Sequence, residues 1–178
     1  NVPFEEPLYE TTNKLSVDFN VSGLVIPNRQ LDADDIIPFS TLWNNSQKIL
    51  ILIGECKPNA IEQKWLDQLA LIPSVVVMIE STSNLHHSSF INTIDTLITP
   101  FSPSEFLELQ PKILITFGGM IVSKKIKAFL RQYKPKYHWH IDEHKANDTF
   151  FCLDNHIKSS PNQFFSDFFE RVTHVTKS

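Results

Sequence analysis

Two glycines, a serine and two lysines form the segment whose residue types best suit a binding site. Gly118 and Gly119 close an apolar run, and Ser123, a favoured N-cap residue, precedes Lys124 and Lys125. Lysines in the first turn of a helix oppose its macrodipole, at a cost of roughly 0.3–1 kcal/mol each, and a broken local rule points to function. The helix amides and the two ammonium groups predict an anion site. The alternative is a surface turn with two solvated lysines.

A second group of polar residues contains three histidines and two acids. His138, His140, Asp142, Glu143 and His144 follow one another closely. On a strand, positions 138, 140 and 142 share one face, which permits metal ligation. The alternative is a buried strand whose histidines alternate with apolar residues. Because the segment lacks the spacing of a closed metal site, the sequence favours the buried strand, and no metal ligand is predicted.

The chain lacks the glycine pattern of a dinucleotide site. Gly54 closes the first apolar run but is followed by Glu55, without G-x-G-x-x-G. The Glu55 carboxylate also brings negative charge to the position that a pyrophosphate occupies in such folds. The sequence therefore predicts no bound nucleotide at this turn.

Composition narrows the class of protein. The chain has 178 residues, of which 42% are hydrophobic and 20% charged, as in globular proteins. Its formal net charge of −4 disfavours nucleic-acid binding, and no apolar run approaches the roughly 18 residues of a membrane span. Cys56 and Cys152 are far apart and are interpreted as reduced, non-nucleophilic thiols. A cytoplasmic protein is predicted.

The hydrophobic pattern alternates between buried strands and amphipathic helices. Continuous apolar runs predict strands at 48–54, 75–79, 113–117, 137–141 and, shorter, 149–153. Helical stripes predict helices within 28–46, at 60–71 and 103–109, after Ser123 and after Ser160, whereas 91–98 suits helix or strand. This order predicts an α/β fold, a Rossmann-like parallel sheet of about five to six strands flanked by helices. Three of the four glycines close strands, at the edge where such sheets bind ligands.

The start of the chain differs from the rest. Residues 1–24 carry turn and charge signals without a helical stripe, and the chain begins at Asn1. We interpret residues 1–24 as an inter-domain linker at the end of a preceding domain. Residues 25–178 are predicted to form one α/β domain, so the chain is expected to be a piece of a longer protein.

Three segments carry a family resemblance. Residues 1–9, NVPFEEPLY, are similar to the N-x-P-F-x-E-P-L-Y segment that ends the first domain of the MenD family, the 2-succinyl-5-enolpyruvyl-6-hydroxy-3-cyclohexene-1-carboxylate synthases. Residues 117–125, FGGMIVSKK, resemble the glycine-turn and Lys-Lys/Arg segment of that family's middle domain. Residues 134–142, KPKYHWHID, resemble the strand that follows. The resemblance spans essentially the whole chain.

The resemblance implies the middle domain of a thiamine diphosphate- and Mg²⁺-dependent transferase of menaquinone biosynthesis. Such an enzyme decarboxylates 2-oxoglutarate and adds the succinyl unit to isochorismate. It implies N- and C-terminal cofactor-binding domains in the same chain and a homo-oligomer at full length. The substrate-carboxylate role falls on Lys124 and Lys125, and Lys125 lacks the bidentate geometry of the arginine frequent there.

The same resemblance implies that this chain alone is inactive. The chain contains no Gly-Asp pair, and so no magnesium motif of the thiamine diphosphate type. We therefore expect no catalytic, cofactor-binding or metal-binding residue within it. The alternatives are a stand-alone Rossmann-like domain that binds a nucleotide, and a non-catalytic domain that binds a regulator.

Overall fold

The computed structural model describes residues 33–172, and its centre is a sheet of five parallel strands. In chain order, the strands are β1 (Ile49–Ile53), β2 (Val75–Ile79), β3 (Ile113–Phe117), β4 (Tyr137–Ile141) and β5 (Asn155–Ile157). Their spatial order is β2-β1-β3-β4-β5, with every neighbouring pair parallel. This is one of the common doubly wound orders. The predicted α/β class with a Rossmann-like parallel sheet is confirmed.

Six α-helices cover the two faces of this sheet within the described residues. They are α1 (Ala33–Asn44), α2 (Gln63–Ala70), α3 (Ile94–Ile98), α4 (Pro103–Leu109), α5 (Lys124–Gln132) and α6 (Pro161–Phe169). Side chains of β1 alternate between the two layers: Ile51 packs with α1, α2 and α6, whereas Leu52 packs with α3 and α5. Because both faces are covered, β1 and β3 are buried at all five positions, as their continuous apolar runs predict.

The phenylalanine stripe of α6 belongs to the core. Phe164, Phe165, Phe168 and Phe169 are all buried, and Phe168 meets Trp43 of α1 in an edge-to-face contact with ring centroids 5.1 Å apart. Aromatic pairs in this arrangement add about 0.5–1.5 kcal/mol to the effect of burial. The predicted inward stripe is therefore confirmed. The predicted helix at 60–71 is shorter at both ends, and the ambiguous segment 91–98 contains the short helix α3.

The predicted fifth strand at 149–153 is wrong. The Asp148 carboxylate accepts hydrogen bonds from the amides of Cys152 and Leu153, at 2.8 and 2.9 Å, and bends the chain into a turn. Phe151 has a φ of 57°, which a strand does not allow. The fifth strand is instead Asn155–Ile157, which pairs with β4.

The switch point of the sheet, between β1 and β3, is closed by the turns that follow these strands. The Gly119 amide donates to the Glu55 carbonyl at 2.7 Å, and the Gly54 amide donates to the Phe117 carbonyl at 2.9 Å. A Cβ on Gly54 would lie 2.3 Å from the Gly119 carbonyl oxygen. Gly118 has a φ of +80°, which favours glycine. Gly54, Gly118 and Gly119 therefore let the backbones of the two turns touch at the position where related folds bind a ligand. We call this contact the interlock.

This interlock predicts that Gly54→Ala destabilises the fold much more than Gly119→Ala. The added methyl group meets backbone in the first case, and overpacking of this kind costs about 1–3 kcal/mol. In Gly119→Ala the new Cβ is 3.3 Å from the Glu55 Cβ, a contact that a shift of a few tenths of an ångström relieves, so we expect a loss below about 1 kcal/mol. Urea denaturation of both variants measures the difference. Equal losses would contradict the interlock.

Candidate functional site at the carboxyl edge of the sheet

The entry to α5 is held by a carboxylate from the neighbouring part of the same edge. Glu80, which follows β2, accepts hydrogen bonds from the amides of Val122 and Ser123 at 2.7 and 2.6 Å. The Ser123 hydroxyl caps α5 by accepting from the Ile126 amide at 3.1 Å, as predicted, and also bonds Asp95. The negative charge favoured at the positive end of the helix dipole is therefore supplied by Glu80, a residue of the same chain. Glu80 therefore occupies the two amides that precede α5, and an anion site at the first turn of the helix stays a prediction.

Lys124 and Lys125 lie on different sides of α5. The Lys125 ammonium donates to the Thr99 hydroxyl, just after α3. Lys124 is exposed, and its spacing places it on the same helix face as Lys127 and Arg131, three and seven positions on. The structure thus separates the two lysines that the sequence groups as a pair. Lys124 retains a side chain open to solvent at the carboxyl edge, whereas Lys125 already has a partner.

Two of the predicted histidines are joined by a threonine from the adjacent strand. The Thr116 hydroxyl lies 2.8 Å from His138 Nε2 and 2.8 Å from His140 Nδ1. The β3–β4 register aligns Thr116 with His140, so all three side chains share one face. Thr116 and His138 are buried, whereas His140 is half-buried and reaches the edge. The one-face prediction for positions 138 and 140 is confirmed.

We call the hydrogen-bonded chain of His138, Thr116 and His140 the relay. The other polar residues of this segment do not join it. The Asp142 carboxylate accepts hydrogen bonds from the amides of His144 and Lys145, at 2.7 and 2.8 Å. His144 and Glu143 are exposed. Within residues 33–172, no three His, Cys, Asp or Glu side chains are placed to hold a metal ion. The group therefore divides into the relay, which joins β3 and β4, and a separate turn closed by Asp142.

Burial controls the protonation of the relay. Desolvation lowers the pKa of His138 to about 4; His140 lowers it further, and Asp148 partly opposes both. Burial also lowers the pKa of His140, against the opposing effect of Asp142. Both rings are therefore neutral at physiological pH. Burial raises the pKa of the Cys56 and Cys152 thiols, in keeping with the predicted absence of a nucleophilic cysteine.

The relay opens into a cavity of about 510 Å³ at the carboxyl edge. Its walls come from the Gly118–Gly119 turn, α5 and the loop between β4 and β5. The side chains with spare hydrogen-bonding or charged groups on these walls are Lys127, Arg131, His140, Asp142, Lys145 and Asp148. Sequence analysis missed Lys127, Arg131 and Lys145, although the spacing of the first two from Lys124 was a usable signal. Lys124 and Lys125 do not line this cavity.

The fold and this edge define a doubly wound α/β domain whose switch point is closed and whose polar groups lie beside it. No family model matches the chain. Relatives carrying the name 2-succinyl-5-enolpyruvyl-6-hydroxy-3-cyclohexene-1-carboxylate synthase do match. The chain is 53% identical over 172 residues to the protein of Flavobacterium psychrophilum and 51% identical over 179 residues to that of Flavobacterium johnsoniae. It is 31% identical over 173 residues to that of Porphyromonas gingivalis.

These matches cover nearly all of this chain and a minor part of each relative. They span 97%, 99% and 97% of the chain, but 31%, 32% and 30% of the three relatives. The chain therefore spans about a third of the length of the curated relatives that it matches. The resemblance to the MenD synthase family, predicted from three segments, is confirmed, and this chain corresponds in sequence to one part of such a synthase.

The depressed pKa of His138 predicts a loss of stability in mild acid. Between the unfolded value near 6.5 and the folded value of about 4, the unfolded chain binds more protons, so stability falls as pH falls through this window. The pKa shift corresponds to a loss of about 3 kcal/mol in the free energy of unfolding, and this loss is complete near pH 4. We expect urea denaturation at pH 7.5 and pH 4 to show a smaller difference in His138→Gln than in the unmodified chain.

His86→Gln is the matched control, because His86 is exposed. This variant should retain the full pH dependence of the unmodified chain. If His138→Gln and His86→Gln lose stability equally between the two pH values, the neutral buried state of His138 is wrong.

Proposed function

We propose that this chain is the central-domain part of a synthase that adds the succinyl unit of decarboxylated 2-oxoglutarate to isochorismate in menaquinone biosynthesis. The observation that carries the proposal is 53% identity over 172 residues to a synthase of that name. The fold supports it, because a doubly wound domain with a closed switch point suits a role other than nucleotide binding. The chain alone is proposed to be inactive.

The proposed domain organisation follows from the same relationship. Residues 1–24 are proposed to be the linker at the end of a preceding domain, and this segment lies outside the described residues. Residues 25–178 are proposed to be the central α/β domain. The continuous sheet and helices from Ala33 to Phe169 support one α/β domain over the described residues. The cofactor-binding domains before and after are the proposed partners within the same chain.

The proposed cofactors, thiamine diphosphate and Mg²⁺, do not fit the side chains that the structure describes. The sequence contains no Gly-Asp pair, and residues 33–172 hold no group of three potential metal ligands. Hard cations such as Mg²⁺ need convergent oxygen ligands, whereas the Asp142 and Asp148 carboxylates already accept backbone amides. We therefore assign the cofactors to parts of the synthase outside this chain.

The proposed contribution of this domain to the reaction is a cation for a substrate carboxylate. Lys124 suits this role because it is exposed at the carboxyl edge on a rigid helix start. Its ammonium would orient the substrate and neutralise its charge. Lys125 is the second proposed contact, and its bond to Thr99 would have to be exchanged for the substrate. The Glu80 carboxylate fixes the turn from which both lysines project.

The two alternatives differ in their support. A nucleotide-binding domain is disfavoured by the backbone interlock at the switch point. A regulator-binding role is compatible with the cavity beside His140 and can coexist with the proposed function. Cytoplasmic location and homo-oligomerisation of the full-length enzyme are proposed from the family resemblance alone. None of the helices between residues 33 and 172 has the length and apolar character of a transmembrane span.

The proposal predicts that Lys124→Ala in the full-length synthase impairs the use of isochorismate. Loss of a charge-assisted hydrogen bond costs roughly 1.5–3 kcal/mol, so kcat/KM for isochorismate should fall about ten- to hundredfold. The decarboxylation of 2-oxoglutarate should change much less. Steady-state kinetics of the two half-reactions measure both effects in one protein.

Lys136→Ala is the matched control, because Lys136 is an exposed lysine at the opposite edge of the sheet. It should leave both rates within about twofold, as for a solvated surface charge. The same small change in Lys124→Ala would show that Lys124 does not bind the substrate.

A further inference from the structure

The hydrogen bonds of the neutral relay run in one donor-to-acceptor direction, which is set by the buried His138 ring. His138 Nδ1 is buried and has no hydrogen-bond partner. Unpaired buried N–H donors are rarer than under-satisfied acceptors, so the proton of His138 belongs on Nε2. His138 Nε2–H then donates to Thr116, and the Thr116 hydroxyl donates to His140 Nδ1. Because a neutral imidazole has one proton, His140 carries it on Nε2.

This direction places an N–H donor at the cavity. His140 lines the cavity, and its Nε2 makes no hydrogen bond within residues 33–172. The ring is held by Thr116 from one strand away, so its orientation is fixed before any ligand arrives. A preorganised donor at a cavity wall suits an acceptor group on a ligand.

The charges around this donor favour an anion. Arg131 uses only its Nε, which donates to the Thr149 carbonyl at 3.0 Å, and the Lys145 ammonium makes no hydrogen bond or ion pair within the described residues. Lys127 donates to the Ile121 carbonyl at 3.1 Å. The terminal guanidinium nitrogens and the two ammonium groups therefore keep spare donors.

The two carboxylates on the same walls keep their negative charge, but they are hydrogen-bonded to backbone amides and are outnumbered by the three cations. Asp142 accepts two backbone amides, which lower its pKa despite burial. Asp148 accepts the amides of Cys152 and Leu153. These acids shape the loop between β4 and β5 and form no ion pair with the three cations within residues 33–172, although the Arg131 guanidinium stacks on the Phe151 ring at 4.7 Å.

We propose that this cavity binds a small oxyanion, carboxylate or phosphate, through His140 Nε2–H, Arg131 and Lys145. The site differs from the one proposed for Lys124 and Lys125, which do not line it. The inference does not rest on the proposed function, because it follows from the relay and the charges of this chain alone.

The first part of the test is the tautomer of His140 in the 178-residue chain at pH 7.5. Long-range ¹H–¹⁵N spectra of the histidine rings distinguish a proton on Nε2 from one on Nδ1. We expect the Nε2–H form for both His138 and His140. A proton on His140 Nδ1 would overturn the proposal, since Nε2 would then be an acceptor.

The second part is titration with acetate and with inorganic phosphate, against chloride at the same ionic strength. We expect at least one oxyanion to shift the His140 and Arg131 side-chain signals saturably, with a dissociation constant of about a millimolar. Saturation by acetate alone identifies a carboxylate site, and saturation by phosphate alone identifies a phosphate site. Shifts no larger than those in chloride would overturn the proposal.

Two variants that each remove one lysine charge test whether oxyanion binding depends on this cavity. Lys145→Gln should weaken binding about five- to tenfold through loss of a charge-assisted hydrogen bond. Its ammonium makes no hydrogen bond or ion pair within residues 33–172, so the fold should be retained. Lys136→Gln removes the same charge at the opposite edge and should leave the affinity within about twofold. Equal effects of the two variants would show general charge screening and would contradict a site.

Discussion

The Gly119 carbonyl oxygen occupies the space that a Cβ on Gly54 would need, and the rest of the carboxyl edge depends on this close approach of two backbones. It draws the turns after β1 and β3 together, and the Gly119 amide completes the join at the Glu55 carbonyl. Two consequences follow. The crevice at the switch point is filled by backbone, and the chain after Gly119 is directed toward Glu80, which sets the start of α5. The polar groups available to a ligand therefore lie on the β4 side of α5.

Most of the fold could be predicted from the sequence because its signals are local. Strands such as Ile113–Phe117 are continuous apolar runs, and the stripe of α5 has helical spacing. The prediction failed at 149–153, where Asp148 bonds two backbone amides and overrides an apolar pattern. The true edge strand, Asn155–Ile157, was missed because an edge strand of three residues, two of them polar, lacks a hydrophobic signal.

The candidate site was less predictable because its contacts join distant parts of the chain. Ser123 as a cap and Lys124 at a helix start could be predicted from adjacent residues. Glu80 lies more than forty positions in sequence from the Val122 and Ser123 amides that donate to its carboxylate. No local pattern indicates this contact. The relay also needs the register that aligns Thr116 with His140. Sequence supplies the side chains of such a site, whereas sheet topology decides which of them meet.

A switch point closed by backbone should not admit the nucleotide that this sheet order commonly binds. Calorimetric titration of the 178-residue chain with NAD, with ADP as competitor, measures whether it does. We expect no saturable heat at millimolar NAD and unchanged amide resonances of Gly54 and Gly119. Saturable binding in the micromolar range that ADP displaces, with shifts at these two glycines, would contradict a closed switch point.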